Sequence, residues 1–103
     1  MEDIETVCFQ LISYVGSAKS CYMEAIDAAE NNNFDKVDEL IKEGDELFNE
    51  AHTVHFGLIQ REANKEEIPF RLLLLHAEDQ LMATETIKLM AERLIKLYQE
   101  IKK

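Results

Sequence analysis

The sequence predicts an all-α fold in which three long helices run up, down and up as an antiparallel bundle. Apolar residues recur at spacings of three and four along nearly the whole chain of 103 residues. The chain contains only 3 glycines and 1 proline, which are common turn residues, and an all-β protein would need more turns than these residues suggest. A hydrophobic content of 47% is typical of a globular protein, and this length predicts a single domain over residues 1–103.

The first helix is predicted over about 3–31. Three asparagines follow it, and they suit both a helix exit and the N-cap of the next helix. Cys8 and Cys21 lie more than three turns apart on this helix, so they cannot bond to each other. We expect both to be reduced core or half-buried residues, which favours a cytoplasmic location. The apolar stripe of this helix consists of Ile4, Val7, Cys8, Leu11, Ile12, Val15, Ala18, Tyr22, Ala25, Ile26 and Ala29.

The second helix is predicted over about 34–62. Its apolar residues alternate between spacings of three and four, as in helices that pack at shallow crossing angles. This seam consists of Phe34, Val37, Ile41, Gly44, Phe48, Ala51, His55 and Leu58, and it is widened by Leu40, Leu47 and Val54.

The third helix is predicted over about 65–100. Asn64 and Glu67 have the spacing of a capping box, and Pro69 would then fall in the first turn or so, where its missing N–H costs little. Four consecutive leucines at 72–75 point to all sides of this helix. Because only one face can pack inside a subunit, the others predict an oligomer.

The charge balance excludes several classes of protein. A net charge of −10 argues against nucleic-acid binding, which needs a basic surface. No apolar run is long enough to span a membrane, and no basic start precedes an apolar block as in a secretory signal. The acidity keeps a protein soluble and can steer a basic partner towards it.

Two polar residues on the third helix are candidates for chemistry. His76 follows the four leucines, and Asp79 lies one turn later on a face that continues through apolar residues. An aspartate on such a stripe is costly unless it is paired, protonated or bound to a metal. From spacing alone, a packed core histidine and an aspartate turned to solvent stay open. The face consists of Leu72, Leu75, Met82, Ala83, Thr86 and Met90.

Other motifs give weaker signals. His52 and His55 lie three apart and could hold a metal, although no third ligand is evident from the sequence. No zincin motif, phosphate loop or dinucleotide fingerprint occurs, and no serine or cysteine lies in a nucleophile motif. The candidate nucleophile is therefore an imidazole.

Four stretches of the chain carry a resemblance to a known family. They are residues 16–20 with the Glu-Ala that follows at 24–25, residues 33–35, residues 50–52 and, most strongly, residues 75–82, Leu-His-Ala-Glu-Asp-Gln-Leu-Met. The last stretch is similar to a histidine–alanine–glutamine–aspartate–histidine–leucine–methionine signature. The chain thereby resembles the enzyme IIA components of the lactose/cellobiose family of the phosphoenolpyruvate-dependent sugar phosphotransferase system.

The resemblance implies a phosphotransferase that works as a phosphocarrier. His76 would accept a phosphoryl group on its tele nitrogen from the histidine phosphocarrier protein. It would pass the group to a sugar-specific IIB component, and through it to the membrane IIC component, during uptake of a lactose-, cellobiose- or chitobiose-type sugar. Asp79 would lie on the axis of a homotrimer, where three copies share a divalent cation such as Mg²⁺. No organic cofactor and no insertion into the membrane are implied.

Three positions depart from the family pattern. Glu78 replaces the glutamine of the signature, Gln80 replaces its second histidine, and His55 replaces a glutamine three residues after His52. The resemblance places His52 near the active groove, and Gln80 and His55 are supporting candidates beside it. Two alternatives stay open: a non-enzymatic acidic helical adaptor, and a degenerate family member that has become regulatory.

Overall fold

The computed structural model describes residues 3–102, and these residues form three α-helices. Helix α1 spans Ile4–Glu30, α2 spans Phe34–Ala63 and α3 spans Leu72–Ile101, with no strand in this part of the chain. The bundle is a rod of 54 × 20 × 17 Å. The all-α prediction is confirmed, and the bounds of α1 and α2 lie within one residue of those predicted. Over the same residues, no helix is both long and apolar enough to cross a membrane.

Helix α1 is the packing partner of both other helices. It packs along both α2 and α3, whereas α2 and α3 approach each other much less. Arg71 at the start of α3 lies 3.9 Å from Glu5 at the start of α1, and Lys102 donates to carbonyls of the last turn of α1. Helices α1 and α3 are therefore parallel and α2 is antiparallel, which is the predicted up-down-up order.

The predicted stripes of the first two helices form most of the core, and α3 adds Ala77, Leu81, Ala91 and Ile95. Every member of both stripes is buried or half-buried. Cys8 and Cys21 are free and buried, and burial raises the pKa of both thiols above the ordinary value. The periodicity of the sequence therefore identified the inward faces of α1 and α2 correctly.

One close contact sits at the centre of this core. The Tyr22 ring lies over Gly44, where an added Cβ would come within 2.9 Å of the ring. The Tyr22 hydroxyl donates a hydrogen bond of 2.7 Å to Asp45, and Lys88 of α3 lies 3.4 Å from the same carboxylate. Burial together with the Asp45 carboxylate raises the pKa of Tyr22 well above its ordinary value. The three helices thus meet around one buried phenol.

The first connection follows the prediction. Asn31 is the C-cap of α1, and the side chain of Asn33 accepts a hydrogen bond from the backbone of Lys36 as the N-cap of α2. Asn32 between them has a φ of 61°, a left-handed conformation that asparagine tolerates better than most residues.

The second connection differs from the prediction, because α3 begins at Leu72 and not near residue 65. Asn64 is the C-cap of α2, and Lys65 has a φ of 68°, the left-handed conformation that commonly terminates a helix. Residues 66–71 form no helix. Pro69 disfavours a helical backbone at the preceding residue and cannot donate a hydrogen bond. The capping box of Asn64 with Glu67, and the place of Pro69 in a first turn, are therefore wrong.

This connecting segment is tied back to α2. Arg61 donates through Nε at 2.7 Å and through Nη2 at 3.0 Å to the two carboxylate oxygens of Glu66. Ile68 is half-buried against the core. The segment therefore has a defined path although it is not helical.

The Arg61 pair predicts a shifted titration. Hydrogen bonding to Arg61 lowers the pKa of Glu66 below its usual value. The ionised form therefore stabilises the fold at neutral pH, and this contribution is lost as the pH falls through the lowered pKa. We expect the side-chain carboxyl carbon of Glu66 to titrate below the ordinary range by NMR, and Arg61→Gln to return it to that range. A wild-type Glu66 that titrates normally would contradict the pair.

The contact at Gly44 predicts a destabilising substitution. Gly44→Ala places a methyl group against the Tyr22 ring, which is held by its hydrogen bond, and should lower the free energy of unfolding by about 1–3 kcal/mol. Gly57→Ala in the same helix is the matched control, because nothing lies within 4 Å of its added Cβ. Its better helix propensity should stabilise the protein by about 0.5–1 kcal/mol. Urea unfolding of both variants tests this, and equal effects would contradict it.

Candidate functional site

Helix α3 leaves an apolar face uncovered. We call this the outer face, because it lies on the side of α3 away from the residues that pack against the core. Leu72 is 82% exposed and Met82 is 60% exposed. Soluble monomers seldom expose so many large apolar side chains along one helix. The outer face consists of Leu72, Leu75, Met82, Met90, Leu94 and Leu97.

Asp79 lies within the outer face. It is exposed, and it stands one turn after Leu75 and one turn before Met82. Ala83 and Thr86 extend the same surface and are also exposed. Within residues 3–102, no three His, Cys, Asp or Glu side chains come together to hold a metal ion.

His76 is exposed on α3, one turn before Asp79. It is therefore not a packed core histidine of a single subunit. Gln80 follows one turn later and is half-buried. The His76 imidazole lies on an open helix surface, so it can meet a group that is carried by a docking protein. A nearby amide such as that of Gln80 offers a donor for an anionic group.

The two histidines of α2 are engaged separately. His55 is half-buried, and its Nε2 lies 2.9 Å and 2.7 Å from the two carboxylate oxygens of Glu78 on α3. His52 is exposed and packs edge-on against Phe48, with 4.6 Å between ring centroids. The interpretation of His52 and His55 as a metal-binding pair therefore gains no support.

The contact between His55 and Glu78 is the feature that the sequence did not predict. Both positions depart from the family pattern, but the sequence did not indicate that the two side chains would be in contact. The available signal was that two glutamines were replaced by a histidine and a glutamate, which can hydrogen-bond to each other. In the structure these replacements face each other across α2 and α3.

Comparison with known proteins gives a consistent result. The family model described as "PTS system, Lactose/Cellobiose specific IIA subunit" matches residues 6–99. The lactose-specific EIIA component of Lactococcus lactis is 38% identical over 98 residues, which cover 95% of this chain and 93% of that protein. The oligo-beta-mannoside-specific EIIA component of Bacillus subtilis is 37% identical over 95 residues, which cover 92% and 86%.

Solved structures agree with these relatives. The PTS cellobiose-specific enzyme IIA of Bacillus anthracis superposes with a TM-score of 0.95 at 38% identity, over 99% of this chain and 94% of that one. The IIA(Chitobiose) in complex with HPr from Escherichia coli gives a TM-score of 0.86 at 28% identity, over 100% of both chains.

Proposed function

Because the chain belongs to the lactose/cellobiose-specific IIA family of the sugar phosphotransferase system, we propose that it relays a phosphoryl group through His76. The observation that carries this proposal is the exposed imidazole of His76 on α3, in the stretch that matches the family signature. The chitobiose relative forms a complex with HPr, which supports the same donor for this chain.

The chemistry follows from the properties of imidazole. An unperturbed histidine titrates near pH 6.5, so a neutral ring nitrogen is available at pH 7. The tele nitrogen of His76 attacks the phosphorus of the phosphohistidine on the carrier, and the N–P bond of the carrier breaks as the new one forms. The phosphoramidate then passes its group to a cysteine of the IIB component. Such transfer requires mainly in-line positioning and charge stabilisation, which the two docked proteins provide together.

The outer face supports a homotrimer. Three copies of α3 around one axis would bury the exposed leucines and methionines, and would bring three Asp79 carboxylates together. Three carboxylates at short range repel one another unless they are protonated or bind a cation. Mg²⁺ prefers oxygen ligands, so Asp79 from each subunit fits a shared divalent ion. The ion would supply charge neutralisation on the axis.

The remaining site residues have supporting roles in this proposal. The Gln80 amide would hydrogen-bond the phosphoryl group, since it lies one turn from His76. His52 lies on the exposed surface of α2, where a neighbouring subunit or a docked protein can reach it. The relay would operate in the cytoplasm, towards IIB and the membrane IIC component, for a lactose-, cellobiose- or chitobiose-type sugar. The net charge of −10 favours partners with basic docking surfaces.

His76→Ala should abolish phosphorylation and leave the fold intact, because the side chain is exposed. The measurement is the mass of the protein after incubation with phosphoenolpyruvate and the two general phosphotransferase proteins. Wild type and the control Glu85→Ala, another exposed position on α3, should each gain one phosphoryl group. A His76→Ala protein that still gains an acid-sensitive phosphate would refute the assignment, and an adaptor would gain none in any variant.

Asp79→Leu should leave the trimer intact, and should stabilise it when chelator is present, because the repulsion among three carboxylates is removed. Met82→Asp is the contrasting variant, since it adds a charge one turn away on the same outer face. We expect it to dissociate the trimer in chelator. Sedimentation velocity distinguishes the two, and monomeric Asp79→Leu would contradict the axial position.

A further inference from the structure

The side chains of His55 and Glu78 join α2 to α3 where these helices otherwise make few contacts. The Nε2 atom of His55 lies 2.9 Å and 2.7 Å from the two carboxylate oxygens of Glu78, and a carboxylate oxygen accepts a hydrogen bond from a ring N–H. The side chains are 21% and 34% exposed, so the bond is shielded from solvent on part of its surface. A hydrogen bond to a carboxylate is among the stronger ones that proteins make.

The start of α3 has little local stabilisation. Its N-cap Arg71 makes no capping hydrogen bond, and the first turn contains no acidic residue. Phe70 is 86% exposed, and Leu72 also lies in the open. The direction of these first turns therefore depends on contacts with the other helices more than on the helix itself.

Glu78 is two residues from His76, so their side chains point to nearly opposite sides of α3. The Glu78 carboxylate consequently cannot touch a phosphoryl group on the His76 of its own chain. Within one chain, an influence on that group through contacts passes through the orientation of the helical turn that both residues share.

We propose that His55 and Glu78 are positioning residues that fix the His76 turn for phosphoryl transfer. This proposal rests on the relay through His76. The link fixes α3 from the side opposite to the imidazole, so it can hold the turn without obstructing a docking protein. It ties the first turns of α3 to α2, in addition to the packing of the turn on α1.

The surroundings of Glu78 explain why the bond matters. A small cavity of about 90 Å³ lies beside it, lined by apolar residues and by a second carboxylate, that of Glu62. Without the His55 donor, the Glu78 carboxylate would lose its partner while facing Glu62 and apolar side chains. The turn would then be held chiefly by its packing on α1, and the position of His76 would be less restricted.

The test compares His55→Ala, which removes the donor, with His55→Gln, whose amide can still donate to Glu78. Thr53→Ala is the control, because its hydroxyl donates to the Asn49 carbonyl within α2. Single-turnover transfer from the phosphorylated carrier is measured over a range of carrier concentrations. Hydrogen exchange of backbone amides 74–80 is measured on the same samples without carrier.

We expect His55→Ala to lower the saturating transfer rate by on the order of tenfold to a hundredfold with little change in the half-saturating carrier concentration. Amides 74–80 should exchange faster. His55→Gln should restore both quantities, and Thr53→Ala should change neither. A rate loss that appears only as weaker carrier binding, or a His55→Gln as slow as His55→Ala, would overturn the positioning role.

The two proposals fail separately. If the wild-type chain gains no phosphoryl group, the relay fails, and unchanged exchange of amides 74–80 in His55→Ala would in addition disprove the link. If His55→Ala does not fold, His55→Glu is compared with the double variant His55→Glu/Glu78→His, which restores the pair with the partners exchanged. Faster transfer in the double variant supports the proposal, and equal rates overturn it.

Discussion

The bundle depends on the close approach of α1 and α2 at Tyr22 and Gly44. The absence of a side chain at Gly44 lets the Tyr22 ring lie against α2, and its hydroxyl donates a hydrogen bond of 2.7 Å to Asp45. Lys88 brings α3 to the same carboxylate. Because α2 and α3 make few contacts with each other, their relative orientation is set largely by the contacts that each of them makes with α1 near this point.

Helix α3 has three faces with different roles. One side packs on α1 through small residues such as Ala77 and Ala91, which permit a short distance between the helices. A second side meets α2 through Glu78. The third is the outer face with Asp79, and His76 lies near its edge. The proposed phosphoryl site and the proposed trimer axis are therefore only one helical turn apart, so assembly and transfer involve the same turns of helix.

Periodicity predicted the parts of the fold that are governed by burial along one helix. The stripes of α1 and α2 were identified residue by residue, because a single face of each is covered within the chain. The start of α3 was predicted wrongly, because an asparagine such as Asn64 suits the end of a helix as well as its beginning. The left-handed conformation of Lys65 and the presence of Pro69 terminate α2 there. On α3, apolar residues occur on more than one face, so periodicity did not indicate which of them would pack against α1 and α2.

The candidate site divides in the same way. His76 and Asp79 were predicted from a local stretch, whereas the contact of His55 with Glu78 joins positions that are far apart in sequence and could be found only in the folded structure.

The buried thiols of Cys8 and Cys21 have a consequence of their own, since burial keeps both largely un-ionised and inaccessible to reagents. An oxidant or an alkylating agent that leaves the fold intact therefore finds no accessible thiol on this chain, and the surface around His76 keeps its chemistry under oxidative conditions.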